Sequence, residues 1–591
     1  MKKKNILFIV IDSVTNDILF NKSNSNDIAP FLYSLRNKAI SGDKMYSEAP
    51  YTEAALMSLL GSVDTLDNGG YMERMKNTKS VLEVFKENKY KVFFNNYYPS
   101  IYPSYMVRGY DEKRYIEGFQ FIHLWEYRLK YFSKLYLEGI LSNKEKKMLI
   151  DMIGDNFKGW ILYLEKLRDN DLETELLNGN IDIKNIEKDI KKLNKEYNEF
   201  VKNSNFYLKE LFIKGEEHTL FKIKNYNMTD KIHSDSVRNK VRSKYYDTFK
   251  RIDKLNKRKN LLNNVFPCDK IFRSIISKDF GTIKGLLAGY KNSLFDKDLY
   301  DRIEGNYDLF KVQRSFHTVS ETFFKWLDKN KNNTWMSYIH VDDAHFNENF
   351  FTYDTDNLEL INEEFNKINK YLDKLPTDYK GSITYDLSLM YCDNVIKNIF
   401  NYLEKNKLLD NTAVVITADH GFSYYFSPVR EKYVISNYKE NYNVPFIVYS
   451  KDLKKREIKG FCATKDIPST LVSLAGINIP KNFKGENLLT FNGREYATIE
   501  YMGGGCPDIK RRPINLGVRT NNYSVVLNLY INKEFCDGEL VEVYDLKKDK
   551  YENNNLNRKK NINSKIKKEL DILEKRFIEL KMMYKDSGEN D

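Results

Sequence analysis

Three stretches of the 591-residue chain are nearly unbroken apolar runs that stop at acids or histidines. NILFIVI at 5–11 ends at Asp12, WMSYIHV at 335–341 runs into Asp342, and TAVVIT at 412–417 into Ala418, Asp419 and His420. Runs of this kind predict strands buried on both faces of a mainly parallel sheet. Their polar ends then share the carboxyl edge, where open α/β sheets bind ligands. VPFIVY at 444–449 predicts another buried strand, and DIPSTLVSLAG at 466–476 a helix with Pro in its first turn and Gly at its end.

A different pattern opens APYTEAALMSLLGS at 49–62. Pro50 keeps the chain extended, and the run from Ala54 to Leu60 then favours helix. Thr52 stands at the junction, as an N-cap or as an exposed reagent. Between the first two strands, Ile186, Ile190, Leu193, Tyr197 and Phe200 recur at spacings of three and four, marking an amphipathic helix. Residues 522–530 and 539–545 predict strands, and 562–583 a closing helix with apolar positions at Ile566, Leu570, Leu573, Phe577 and Leu580. The predicted organisation is an α/β core in two parts, 1–119 and 316–490, interrupted by a mainly helical insertion at 120–315. A C-terminal subdomain with a small sheet and the closing helix follows at 491–591.

Composition narrows the class. With 41% hydrophobic and 30% charged residues the chain is an ordinary folded one, and its 43 Tyr and 36 Phe supply much of the apolar area. A net charge of +12, spread over 95 basic and 83 acidic residues, does not point to nucleic acid. It is compatible with an anionic substrate. The apolar run of the basic N-terminus is broken by Asp12, and no window supplies the roughly 18 apolar residues of a membrane span. The five cysteines are odd in number and form no CxxC pair, which suits reduced thiols and leads to the expectation of a cytoplasmic protein.

Asp12, Asp419 and His420, each following a strand, converge on one crevice in a parallel sheet. Carboxylate oxygens with one imidazole suit a divalent cation such as zinc or manganese. Thr52 at a helix N-terminus completes a reaction: a metal-bound hydroxyl is a nucleophile, and the helix end favours an anionic phosphoryl or sulfuryl ester. His340 and His345, in HVDDAHF, are candidates to bind a substrate oxygen or protonate a leaving group, with a core role open for His340 and a surface loop for His345. Arg430 and Lys432, shortly after the Asp-His-Gly segment, read as a solvated basic loop. Glu500, before Gly503–Gly505, is a candidate for the crevice or part of a tight turn.

In family order, these segments resemble the sulfatase family of the alkaline phosphatase superfamily. The first strand with its Asp, TEAALMSLLGS beside the nucleophile helix, HVDDAHF, TADHG, NVPFIVYS, DIPSTLVSLAGI and EVYDLKKDKYENNNL carry the resemblance over about 1–110 and 315–560. It implies an alkaline phosphatase-like α/β fold, a central mostly parallel sheet flanked by helices. It puts Thr52 at the nucleophile position, Asp12, Thr52, Asp419 and His420 on one divalent metal, and His345, His340 and Arg430 towards substrate. Zinc or manganese stands ahead of calcium or magnesium. Sulfatases carry Cys or Ser, converted to formylglycine, in a C/S-x-P-S/A-R pattern. Here the segment is Thr52-Glu53-Ala54-Ala55-Leu56, and Ser13 replaces a second Asp. Thr instead resembles the branch of phosphoethanolamine and phosphoglycerol transferases and phosphodiesterases. The expected function is therefore metal-dependent transfer or hydrolysis of a phosphate ester or phosphodiester through Thr52, on an anionic small or glycan-linked substrate. The alternatives are a sulfuric ester hydrolase without formylglycine and a non-catalytic binding protein.

Overall fold

The computed structural model describes residues 3–21, 24–69, 79–95, 112–114, 143–168, 183–214, 316–345, 358–376, 381–422, 437–502 and 513–585, with a few isolated residues besides. The chain divides into two compact units, one of 1–114, 315–351 and 360–591, the other of 115–314 and 352–359.

The first unit is built on an eight-stranded sheet. Its strands are β1 (Asn5–Ile11), β2 (Ile40–Gly42), β4 (Lys91–Asn95), β5 (Glu112–Arg114), β6 (Trp335–Val341), β7 (Thr412–Thr417), β8 (Phe446–Tyr449) and β9 (Arg456–Ile458), ordered β5-β4-β6-β1-β7-β8-β2-β9. A two-stranded ribbon, β3 (Met45–Tyr46) with β10 (Cys462–Ala463), lies apart from it. β1 runs parallel to β6 on one side and β7 on the other. Every residue of these three strands is buried, as continuous apolar runs between two helical layers require. Phe93 on β4 packs against Phe323 and Trp326 of the Phe316–Asn330 helix, with ring centroids 5.6 and 5.2 Å apart. β8 is the exception in direction, antiparallel to both β7 and β2.

The C-terminal residues form a four-stranded antiparallel sheet, β11 (Ala497–Met502), β12 (Ile514–Arg519), β13 (Tyr523–Leu529) and β14 (Glu539–Asp545), in chain order. The closing segment is two helices, Ile562–Lys565 and Lys567–Lys585, with Ile566, Leu573, Phe577 and Leu580 buried.

In the second unit the described helices are Asn143–Arg168, Ile183–Lys202 and Ser204–Lys214. Ile186, Ile190, Leu193 and Phe200 are buried, as their spacing predicts. Among the described residues no helix is long and apolar enough to cross a membrane.

Candidate active site

β1, β6 and β7 deliver their ends to one place because they are parallel and in register. Val10 is opposite His340 on β6 and Thr417 on β7. The chain leaves β1 through Asp12, whose N–H donates to the Val341 carbonyl at 2.8 Å, and leaves β7 through Ala418, Asp419 and His420. The helix Thr52–Gly61 starts at the same point. Its N-cap position is Tyr51, so Thr52 is the first helical residue and does not cap. Nor is it exposed. Its Oγ1 lies 3.3 Å from Asp12 Oδ2 and 3.4 Å from His420 Nε2.

Asp12, His340 and Asp419 are fully buried, and one ligand atom from each lies within 4.8 Å of the other two. His340 Nε2 and His420 Nε2 each stand 3.7 Å from Asp419 Oδ2, and His420 Nε2 is 3.5 Å from Asp12 Oδ1. His340 thus stands among the carboxylates, a place that its alternation with Tyr338 along β6 does not reveal. His345 is half-buried, its ring centroid 6.4 Å from that of His420.

The electrostatics follow from two carboxylates buried side by side. Burial acts to raise the pKa of Asp12, but His345, His420 and His340 outweigh it and hold the carboxyl at about 2. Asp419 has the opposite fate: burial, then the Asp12 charge, push it up to about 7. Burial opposes charge on His420, yet Asp419 and Asp12 raise its pKa. Burial dominates at His340 and lowers it to about 4. His420 Nδ1 lies 2.8 Å from the Gly421 carbonyl, which can only accept, so Nδ1 carries a proton and the neutral ring turns an unprotonated Nε2 towards the carboxylates.

These residues fit a divalent cation. Asp419 Oδ2 is buried without a hydrogen-bond donor among the described residues, an expensive arrangement unless a cation takes that lone pair. Two carboxylates with imidazole nitrogen form a donor set suited to zinc or manganese.

Arg430 and Lys432, like Gly503–Gly505, lie outside the described residues. Glu500 is not in the crevice: the Arg576 guanidinium holds both of its oxygens at 2.8 Å, and it also accepts from the Leu66 N–H at 2.7 Å. A carboxylate so completely paired serves to join β11 to the closing helix.

The family model for sulfatases matches residues 222–477, and a model of the C-terminal part of N-sulphoglucosamine sulphohydrolase matches 432–581. Over these residues the chain is similar to sulfatases. The chain is 26% identical over 224 residues to arylsulfatase K of Rattus norvegicus, covering 34% of this chain and 39% of that protein. It is 28% identical over 214 residues to N-acetylglucosamine-6-O-sulfatase of Bacteroides thetaiotaomicron, covering 34% and 36%. The chain therefore spans less than two fifths of the length of these curated relatives. The crystal structure of Ps i-CgsB superimposes with a TM-score of 0.50 at 12% identity, covering 98% of this chain and 93% of that one, a likeness of fold.

Proposed function

We propose that this chain is a metal-dependent hydrolase, of the sulfatase family, that acts on sulfate esters carried on a sugar. The observation that carries the reading is the Thr52 hydroxyl, placed within 3.4 Å of both Asp12 and His420 at the start of a helix. The sulfatase names of the relatives weigh for sulfate over the phosphate ester that Thr52 suggests by itself, and one of them is named for a sulfated N-acetylglucosamine.

Asp12, Asp419 and His420 would hold the cation, with His340 beside them and the Thr52 hydroxyl facing it. A bound zinc or manganese ion supplies Lewis acidity, which favours the ionised hydroxyl and neutralises charge on the ester. Thr52 gives up its hydroxyl proton to water as Oγ attacks sulfur, and the bond from sulfur to the sugar oxygen breaks. His345 protonates that leaving oxygen. The dipole of the Thr52–Gly61 helix favours the anionic sulfuryl oxygens next to its N-terminus. Water then cleaves the threonine sulfate ester to release sulfate and restore the hydroxyl.

Metal-reconstituted protein incubated with an aryl sulfate and with a sulfated glucosamine tests this, read as inorganic sulfate by ion chromatography. Release that falls about a hundredfold in His345→Ala supports the leaving-group role. A second reading has one observation behind it: Thr is not convertible to formylglycine, and its hydroxyl is suited to forming a phosphate ester. Turnover of an aryl phosphate or phosphodiester, with the aryl sulfate untouched, would establish that reading instead.

A further inference from the structure

Ser13, directly after Asp12, has φ 62°, in the left-handed region that a residue with a Cβ seldom occupies. This turn sets the relation between the two carboxylates. Ser13 Oγ donates to Asp12 Oδ1 at 2.6 Å, and the Ser13 N–H points to Asp419 Oδ1 at 3.3 Å. Such a conformation persists only where its surroundings over-determine it. The group that does so comes from another element. Tyr385, fully buried in the first turn of the Ile383–Lys405 helix, donates its hydroxyl to the Ser13 carbonyl at 2.6 Å. The same ring stacks on Phe422, with centroids 6.1 Å apart and an interplanar angle of 28°. Phe422 follows Gly421 and His420, and its N–H donates to Thr15 Oγ1 at 3.1 Å. One side chain thus grips the loop after β1 by its hydroxyl and the loop after β7 by its face.

We propose that Tyr385 is a positioning residue of the candidate metal site, holding Ser13 in its left-handed turn so that the Asp12 and Asp419 carboxylates face one cation. The inference rests on the metal site of the proposed function. Tyr385 touches no reacting atom. It acts through Ser13, as outer-shell partners act on the ligands they orient.

Zinc affinity of the full chain, measured by competition with a chromophoric chelator after the protein is stripped of metal, provides the test. Wild type and Asp419→Asn are measured first: tight stoichiometric zinc in the former and its loss in the latter establish the site. If wild type holds no zinc, the metal site of the proposed function fails and this inference falls with it, whereas tight wild-type zinc leaves the Tyr385 variants to decide the inference alone. Tyr385→Phe keeps the ring on Phe422 and removes only the hydroxyl. It is expected to weaken zinc binding about tenfold while the melting temperature of the ion-free protein stays near that of wild type. Ser13→Gly, which takes a positive φ without restraint, is expected to shrink that loss when combined with Tyr385→Phe. Wild-type zinc affinity in Tyr385→Phe would overturn the proposal. So would a loss of the same size in the Ser13→Gly background.

Discussion

At the scale of single residues, the site is governed by where protons reside before a cation arrives. Asp419 holds its proton up to about pH 7, and the pKa of His420 is raised by Asp419 and Asp12 against burial. Cation binding must expel such protons. The direction of the linkage is therefore set. A carboxyl whose folded pKa lies above its unfolded value of 3.8 binds more protons in the native state, so the ion-free protein loses stability as pH rises from about 4 to 7. Zinc affinity should rise over the same interval. Thermal shift measurements are expected to show zinc raising the melting temperature more at pH 8 than at pH 6, and a shift independent of pH would count against this electrostatic picture. Asp12, Thr52, Asp419 and His420 are legible in the sequence because each sits where a periodic pattern starts or ends. His340 is less legible as a member of the carboxylate cluster. Its neighbours Ile339 and Val341 are as apolar as the rest of β6, and only the strand pairing that sets it opposite Val10 brings it to the carboxylates.

At the scale of elements, the site depends on how tightly the loop after β7 is clasped. A Cβ on Gly421 would lie 1.9 Å from the Glu440 carbonyl and 3.1 Å from Thr15 Oγ1. That carbonyl already accepts from Thr15 Oγ1 at 2.8 Å, and the Gly421 N–H donates to Asn441 at 2.9 Å. There is no room to give. Gly421→Ala should cost about 1–3 kcal/mol of stability, as overpacking does, and displace His420 and Asp419. Denaturant unfolding together with zinc titration checks it, with a loss in both expected. β1, β6 and β7 begin and end where their apolar runs do, because a strand buried on both faces needs an unbroken run. The antiparallel course of β8 was not legible: periodicity reports burial, and direction is set by which neighbours the chain finds. The start of the Thr52–Gly61 helix differs by one residue from a Thr52 cap, since extended Tyr51 takes the cap position and frees the hydroxyl for Asp12.

At the scale of the whole molecule, the closing helix is fastened to the rest of the first unit by a buried ionic network. Arg576 pairs with Glu500 and with Asp67 at 3.0 Å; Lys484 reaches Asp67 at 2.7 Å, and Lys465 bridges Glu48, at 2.6 Å, and Asp64. Arg576→Ala would leave the Glu500 carboxylate buried without its partner, a defect that costs about 3–5 kcal/mol. The expected result is a lower unfolding midpoint with zinc affinity retained, because none of these groups touches Asp12 or Asp419. Burial opposes charge on Asp64, but Lys465, Arg576 and Lys484 drive its pKa well below the ordinary carboxylate range. A depressed folded pKa contributes stability above the unfolded value of 3.8 and loses it as pH falls below, so Asp64→Asn should be less sensitive to acid than wild type. The network could not be read from sequence, since Asp64, Lys465, Glu500 and Arg576 belong to four separate segments that only the fold assembles.

Release of inorganic sulfate from an aryl sulfate by the zinc- or manganese-loaded full chain decides whether Thr52, among Asp12, Asp419, His420 and His340, cleaves a sulfate ester. Turnover by wild type that falls to the uncatalysed background in Thr52→Ala is the predicted result; turnover undiminished in Thr52→Ala would contradict it.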